Sequence, residues 1–150
     1  MLLKPLRVDA SVCTGCRACE IACVFHRENL LGTSSARIRI LKKEAEGLDQ
    51  PLVCRLCAEP SCIASCPEGA LSRNPGLGTI FLDEARCTSC GACFGACPFD
   101  SVSGDPRSGK PLICDLCGGE PACVFRCSPG ALQAEPGSGR RDSSPEEGSK

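Results

Sequence analysis

The sequence predicts an α+β chain of short strands, short helices and many loops, and three observations carry that expectation. First, cysteine dominates the composition: 16 of 150 residues, against one His, no Trp and no Tyr. Second, the cysteines fall into four groups of four with none left over: Cys13, Cys16, Cys19, Cys23; Cys54, Cys57, Cys62, Cys66; Cys87, Cys90, Cys93, Cys97; and Cys114, Cys117, Cys123, Cys127. Third, Gly and Pro punctuate the stretches between. With only five Phe, aromatic side chains cannot fill much of a core, so disulfides or metals must hold the chain together.

Taken in order, LRVDA (6–10), ARIRILK (36–42) and TIFLDE (79–84) read as strands, on alternation or β-branched content. Residues 17–26, 91–96 and 122–126 are expected to form short helices around the third and fourth cysteines of their groups. NPGLG (74–78) is the expected turn of a hairpin between Cys66 and Cys87. The segment 24–53, with its polar run KKEAEGLDQ (42–50), reads as an outer loop and a docking surface. Residues 133–150 contain almost nothing that can be buried and read as a disordered tail.

The chain repeats internally. CTGCRACEIAC (13–23) aligns with CTSCGACFGAC (87–97), and PLVCRLCAEPSCIASCPEGAL (51–71) aligns with PLICDLCGGEPACVFRCSPGAL (111–132) with one inserted residue. The A-B-A-B order indicates duplication of a two-group unit.

The N-terminal stretch MLLKPLRVDASVCTGC lacks the basic start, apolar run and cleavage site of a secretory signal, and no stretch is apolar enough to cross a bilayer. The expected compartment is the cytoplasm, where dense cysteine means metal more often than disulfide. The formal net charge of −1 gives no basic signal for nucleic acid.

Groups one and three read C-x-x-C-x-x-C-x-x-x-C, the run that binds [4Fe–4S] clusters in bacterial ferredoxins. A cubane presents four iron corners, each needing a thiolate. Three closely spaced cysteines curl a loop around three corners and aim backbone N–H groups at the sulfurs. The fourth cysteine faces away and ligates the other cluster of the pair. Pro67 after Cys66 and Pro98 after Cys97 suit this role, because Pro ends the turn and donates no N–H. Groups two and four widen the gap before the third cysteine, and any site holding a three-iron cluster, or none, is expected there. Zinc fits poorly, because its C-x-x-C pairs normally lie further apart. Each oxidised cluster with its four thiolates adds about −2, so the loaded chain carries roughly −9 and favours partners with basic patches. His26 reads as a surface residue, and the five Phe read as shields between clusters and water.

Two pairings are open. The repeat pairs group one with two and three with four. The stretch 54–98 alone has the layout of a complete two-cluster unit, which favours pairing two with three and one with four. From 6 to 132 the chain resembles the four-cluster iron–sulfur subunits of molybdenum and tungsten oxidoreductases, hydrogenases and formate dehydrogenases. That resemblance implies tandem ferredoxin-like modules around four [4Fe–4S] clusters. The implied ligands are Cys13, Cys16, Cys19 and Cys127; Cys54, Cys57, Cys62 and Cys97; Cys66, Cys87, Cys90 and Cys93; and Cys23, Cys114, Cys117 and Cys123. The implied domains are an outer module from 1–53 and 99–132, an inner module at 54–98, and the tail at 133–150. CTGCRACEIACVFHREN followed by SARIRI is similar to small subunits of tungsten aldehyde oxidoreductases and of the benzoyl-CoA reductase complex.

No nucleotide loop or Ser/His/Asp set is visible, so no catalytic residue is expected. The expected function is a non-catalytic relay of single electrons between a tungsten or molybdenum pterin subunit and an acceptor such as a flavin subunit or ferredoxin. The rivals are a free polyferredoxin, a hydrogenase or formate dehydrogenase subunit, and a zinc or metal-storage module; self-association through the cluster-bearing ends stays open beside each.

Overall fold

A computed structural model describes residues 2–135, so 136–150, most of the expected tail, lie outside the described residues. The strands pair only as four two-stranded antiparallel ladders. β1 (Arg7–Val8) pairs with β8 (Leu132–Gln133), setting Arg7 opposite Gln133. The ends of the described chain are thereby tied together, and Gln133, the first residue of the expected tail, lies in a strand.

The 11-residue helix α1 (Ala18–Glu28) follows the first cysteines, two residues longer at its end than the sequence predicts. His26 and Arg27 in its last turn favour the negative end of the helix dipole. Asn29 closes it in the left-handed conformation at φ 54°, which Asn tolerates well. Within the expected outer loop, the strand read at 36–42 is present as β2 (Arg39–Lys43), but the polar run after it is not loop throughout: it supplies β3 (Leu48–Leu52), which pairs with β2 as a hairpin. Its turn needs Gly47 at φ 62°, and a Lys42–Asp49 ion pair at 3.1 Å spans its polar end. Ile38, Ile40 and Pro51 supply its buried face.

The second half repeats a smaller version of this plan. The short α2 (Ser61–Ala64) precedes a hairpin of β4 (Leu71–Arg73) and β5 (Ile80–Leu82). The hairpin expected around NPGLG is therefore present, and Asn74 Oδ1 accepts the N–H groups of Gly76 and Leu77 within that turn. α3 (Ala92–Ala96), the ladder of β6 (Ser103–Gly104) with β7 (Pro111–Leu112), and α4 (Ala122–Phe125) complete the order.

Two apolar clusters divide the molecule. One gathers Leu6, Val24, Ala36, Ile38, Val53, Leu116 and Leu132 with Cys19, Cys23 and Cys123. The other gathers Leu71, Ile80, Val102 and Ile113 with Cys62 and Cys93. Arg107 ties the halves together: its Nη2 donates to both Glu28 carboxylate oxygens at 2.9 Å. One nitrogen is shared between the two oxygens, so the contact is charge-assisted but, at this exposure, worth little by itself.

Among the described residues Glu20 is the one buried acid, 4% exposed, and its Oε1 accepts the Ile40 N–H at 2.6 Å. It therefore fastens the β2–β3 hairpin to α1. Glu20→Ala leaves that buried N–H unpaired and is expected to cost about 1–3 kcal/mol, read by anaerobic denaturant unfolding of the iron-loaded chain. A midpoint equal to that of the wild type would contradict this role.

Candidate metal centres

The same backbone device recurs at every C-x-x-C pair. The residue just before the second cysteine takes a left-handed conformation in all four groups: Gly15 at φ 63°, Leu56 at 47°, Ser89 at 56° and Leu116 at 54°. This reverses the chain so that its N–H groups turn back on the first thiol of the pair, and Leu116 N–H donates to Cys114 Sγ at 3.4 Å. Gly15 has a second reason to be glycine: the Asp49 carboxylate occupies the space a Cβ would need.

A second turn follows three of the fourth cysteines. Gly69, Asp100 and Gly130, each three residues beyond Cys66, Cys97 and Cys127, have positive φ. Ala70 N–H then donates to Cys66 Sγ at 3.3 Å, and Ser101 Oγ lies 3.3 Å from Cys97 Sγ. The Ala70 bond, aided by neighbouring N–H groups, lowers the Cys66 pKa. Burial raises that of Cys97, but the Ser101 hydroxyl and nearby N–H groups outweigh it and the net shift is downward. Cys23 differs, sitting inside α1, and receives the Arg37 N–H at 3.3 Å.

Folding gathers the thiols into sets. One hollow is lined by Cys13, Cys16, Cys19 and Cys127, a second by Cys66, Cys87, Cys90 and Cys93, and a third by Cys54, Cys57, Cys62 and Cys97. The remaining four also meet, since Cys23 and Cys117 both press electrostatically on Cys123, and Cys123 and Cys23 on Cys114. Burial, reinforced by such neighbours, pushes Cys19 and Cys123 up to about 12 and Cys54 and Cys93 up to about 11. Electrostatic coupling, felt when the thiols ionise, also links the sets: Cys123 to Cys19, Cys114 to Cys54, and Cys93 to Cys62.

All sixteen thiols are free of disulfides. Among the described residues no three Cys, His, Asp or Glu side chains converge tightly enough to hold a single ion. Four thiols around one hollow match the donor set and the wider span of a cubane, which also has the charge to displace protons from thiols this reluctant to ionise. His26 is exposed, as expected of a surface residue. Phe99 lines the hollow of Cys54 and Cys97, but Phe25, Phe81 and Phe125 are more than half exposed, so the expected shielding is confined to few of the five. Sequence reasoning missed the half-buried Arg27–Asp115 pair at 2.7 Å beside Cys114, because 88 residues separate its members.

An α+β scaffold of minimal ladders with thiol quartets is that of a small iron–sulfur protein. The chain matches the 4Fe-4S dicluster domain over residues 46–136, and it belongs to that family. It is 37% identical over 115 residues to the polyferredoxin-like subunit of an aliphatic sulfonate oxidoreductase from Pyrococcus furiosus, covering 77% of this chain and 66% of that one. It is 35% identical to the electron transport protein HydN of Escherichia coli, with 83% of each chain covered. Among solved structures, the BamBC active-site complex of benzoyl-CoA reductase aligns with a TM-score of 0.55 at 30% identity, covering 90% of this chain and 78% of that one. These relatives bear out the expected resemblance to oxidoreductase electron-transfer subunits. Among the described residues no helix is long and apolar enough to cross a membrane.

Because the buried thiols hold their protons at neutral pH, loading with iron and sulfide must release acid. Anaerobic reconstitution is expected to liberate protons and to fall in yield from pH 8 to pH 6. A proton-neutral, pH-independent uptake would contradict the thiol ligation.

Proposed function

We propose that this chain is a non-catalytic relay of single electrons, carried by four [4Fe–4S] clusters, within a cytoplasmic oxidoreductase complex. The ligand sets are Cys13, Cys16, Cys19 and Cys127; Cys23, Cys114, Cys117 and Cys123; Cys54, Cys57, Cys62 and Cys97; and Cys66, Cys87, Cys90 and Cys93. When bound, the clusters supply the one-electron chemistry. The polypeptide spaces them, sets their surroundings and buries five of their ligands, Cys19, Cys23, Cys62, Cys93 and Cys123.

The observation that carries this reading is the order of the thiol sets. Cys123 is coupled electrostatically to Cys19, Cys114 to Cys54, and Cys93 to Cys62, so each set is coupled to the next in one order. The two exposed cysteines, Cys16 and Cys90, belong to the two sets at its ends. A line of redox centres reaching the surface at both ends suits transfer between two partners.

In this reading the outer module comprises 1–53 and 99–132, and the inner module 54–98 with the β6–β7 ladder packed on it. The catalytic partner is a tungsten or molybdenum pterin enzyme of the aldehyde oxidoreductase kind, and the acceptor is a flavin subunit or ferredoxin. Docking falls on the segment after α1, where Leu30 and Leu31 are 53% and 83% exposed beside exposed Phe25. Such an apolar patch favours a retained subunit over a freely diffusing polyferredoxin.

Cys57→Ser and Cys97→Ser are expected to abolish or convert the same component of the low-temperature EPR spectrum, and Cys66→Ser a different one. If Cys57→Ser and Cys97→Ser act on different components, the crosswise ligation is wrong. Anaerobic purification of the tagged chain from its native cells is expected to bring down a tungsten- or molybdenum-containing polypeptide in equal amount. Elution of the fully loaded chain alone would favour the free carrier.

A further inference from the structure

Reduction adds one negative charge to an iron–sulfur cluster, so fixed charge beside its ligands shifts its potential: a cation upward, an anion downward. Exposed charges are screened by water and salt and count for little. The charges that matter are therefore the buried ones, and the two outer thiol sets differ sharply in them.

Beside Cys23, Cys114, Cys117 and Cys123 lie two guanidiniums sharing one carboxylate. Arg27 Nη1 stands 2.7 Å from Asp115 Oδ1, and Arg37 Nη1 stands 3.9 Å from Asp115 Oδ2. The triad carries one net positive charge, and its arginine side chains are only 24% and 26% exposed. It is braced against the thiols themselves. The Arg37 N–H donates to Cys23 Sγ at 3.3 Å, and Asp115 Oδ1 accepts the Cys117 N–H at 3.0 Å. Burial and the nearby Arg27 lower the Arg37 pKa, while Asp115, Cys23 and Cys114 act in the opposite sense. A guanidinium remains charged through such a shift.

Beside Cys13, Cys16, Cys19 and Cys127 the buried charge has the opposite sign. The Glu20 carboxylate, held against the Ile40 N–H, adds to burial in raising the Cys19 thiol pKa. Its cation, Arg17, reaches only to 4.0 Å and is 48% exposed. Arg126 beside Cys127 and Glu120 near Cys123 are both exposed.

We propose that these charges build a step in potential into the outer pair. The Arg27–Asp115–Arg37 triad raises the potential of the cluster on Cys23, Cys114, Cys117 and Cys123, and Glu20 lowers that of the cluster on Cys13, Cys16, Cys19 and Cys127. An electron entering the outer pair then settles on the cluster next in line to the inner module. The triad acts as a positioning and tuning element, and the proposal rests on the ligand sets given under Proposed function.

The test is a potentiometric titration of the anaerobically purified full chain, followed by EPR. Arg37→Gln is expected to lower one midpoint, that of the component missing from Cys23→Ser, and Arg37→Lys to restore most of it. Asp115→Asn, which frees both guanidiniums, is expected to raise the same midpoint. Glu20→Gln keeps an acceptor for Ile40 and is expected to raise another midpoint, that of the component missing from Cys127→Ser. If Arg37→Gln fails to load, Asp115→Asn and Glu20→Gln carry the same test. Unmoved midpoints, or shifts of opposite sign, overturn the potential step while leaving the ligand sets standing. Loss of different components in Cys23→Ser and Cys114→Ser overturns the ligand sets, and the step with them.

Discussion

Bonds between thiolate and iron take the place that packed hydrocarbon holds in most domains of this size. Each apolar cluster in the molecule counts cysteines among its buried members. Without iron those buried thiols would sit protonated, with little aromatic mass nearby to pack against. The four ladders, two of them only two residue pairs long, cannot hold such a chain by themselves. Metal binding is therefore folding energy here, and the rest of the architecture serves to present sulfur at the right corners.

That service is performed by the backbone more than by side chains. The left-handed residue before each second cysteine costs about 1 kcal/mol when it is not glycine, yet Leu56, Ser89 and Leu116 all accept it. Recurrence in four places shows that ligand geometry prevails over local propensity. Arginine then appears where it can neutralise: Arg27 and Arg37 around Asp115, and Arg73, which reaches the carbonyl of Cys57. In a protein whose function is to hold added electrons, the placement of a few half-buried charges has more consequence than overall net charge.

The quartets of cysteine were legible because their spacing is a direct image of ligand geometry, and the helices α1, α3 and α4 and the β4–β5 hairpin followed from ordinary patterning. In the hairpin at 39–52 the first strand was legible within 36–42, but its partner was not. β3 carries Asp49 and Gln50, and Pro51 reads as a breaker, so the polar run looked like a loop. Only the burial of Ile40 and Pro51 against the first core makes it a sheet. β6, β7 and β8 span two residues each, too few for any periodicity to register. The gathering of Cys127 with Cys13 and of Cys97 with Cys54 needed either a family resemblance or coordinates, since the internal repeat by itself points to a different pairing. The Arg27–Asp115 contact had no local signal at all.

Duplication explains both the economy and the asymmetry of the molecule. Two copies of a two-group unit have interlocked, so that the ends of the chain close around its middle through β1 and β8. The copies then diverged in the charges they bury, giving each thiol set its own surroundings on a common loop. In the proposed reading iron and sulfide organise this chain at four sites. Iron and acid-labile sulfide measured together on protein kept strictly anaerobic should reach about sixteen of each per chain. A folded, colourless chain containing zinc or no metal would contradict it.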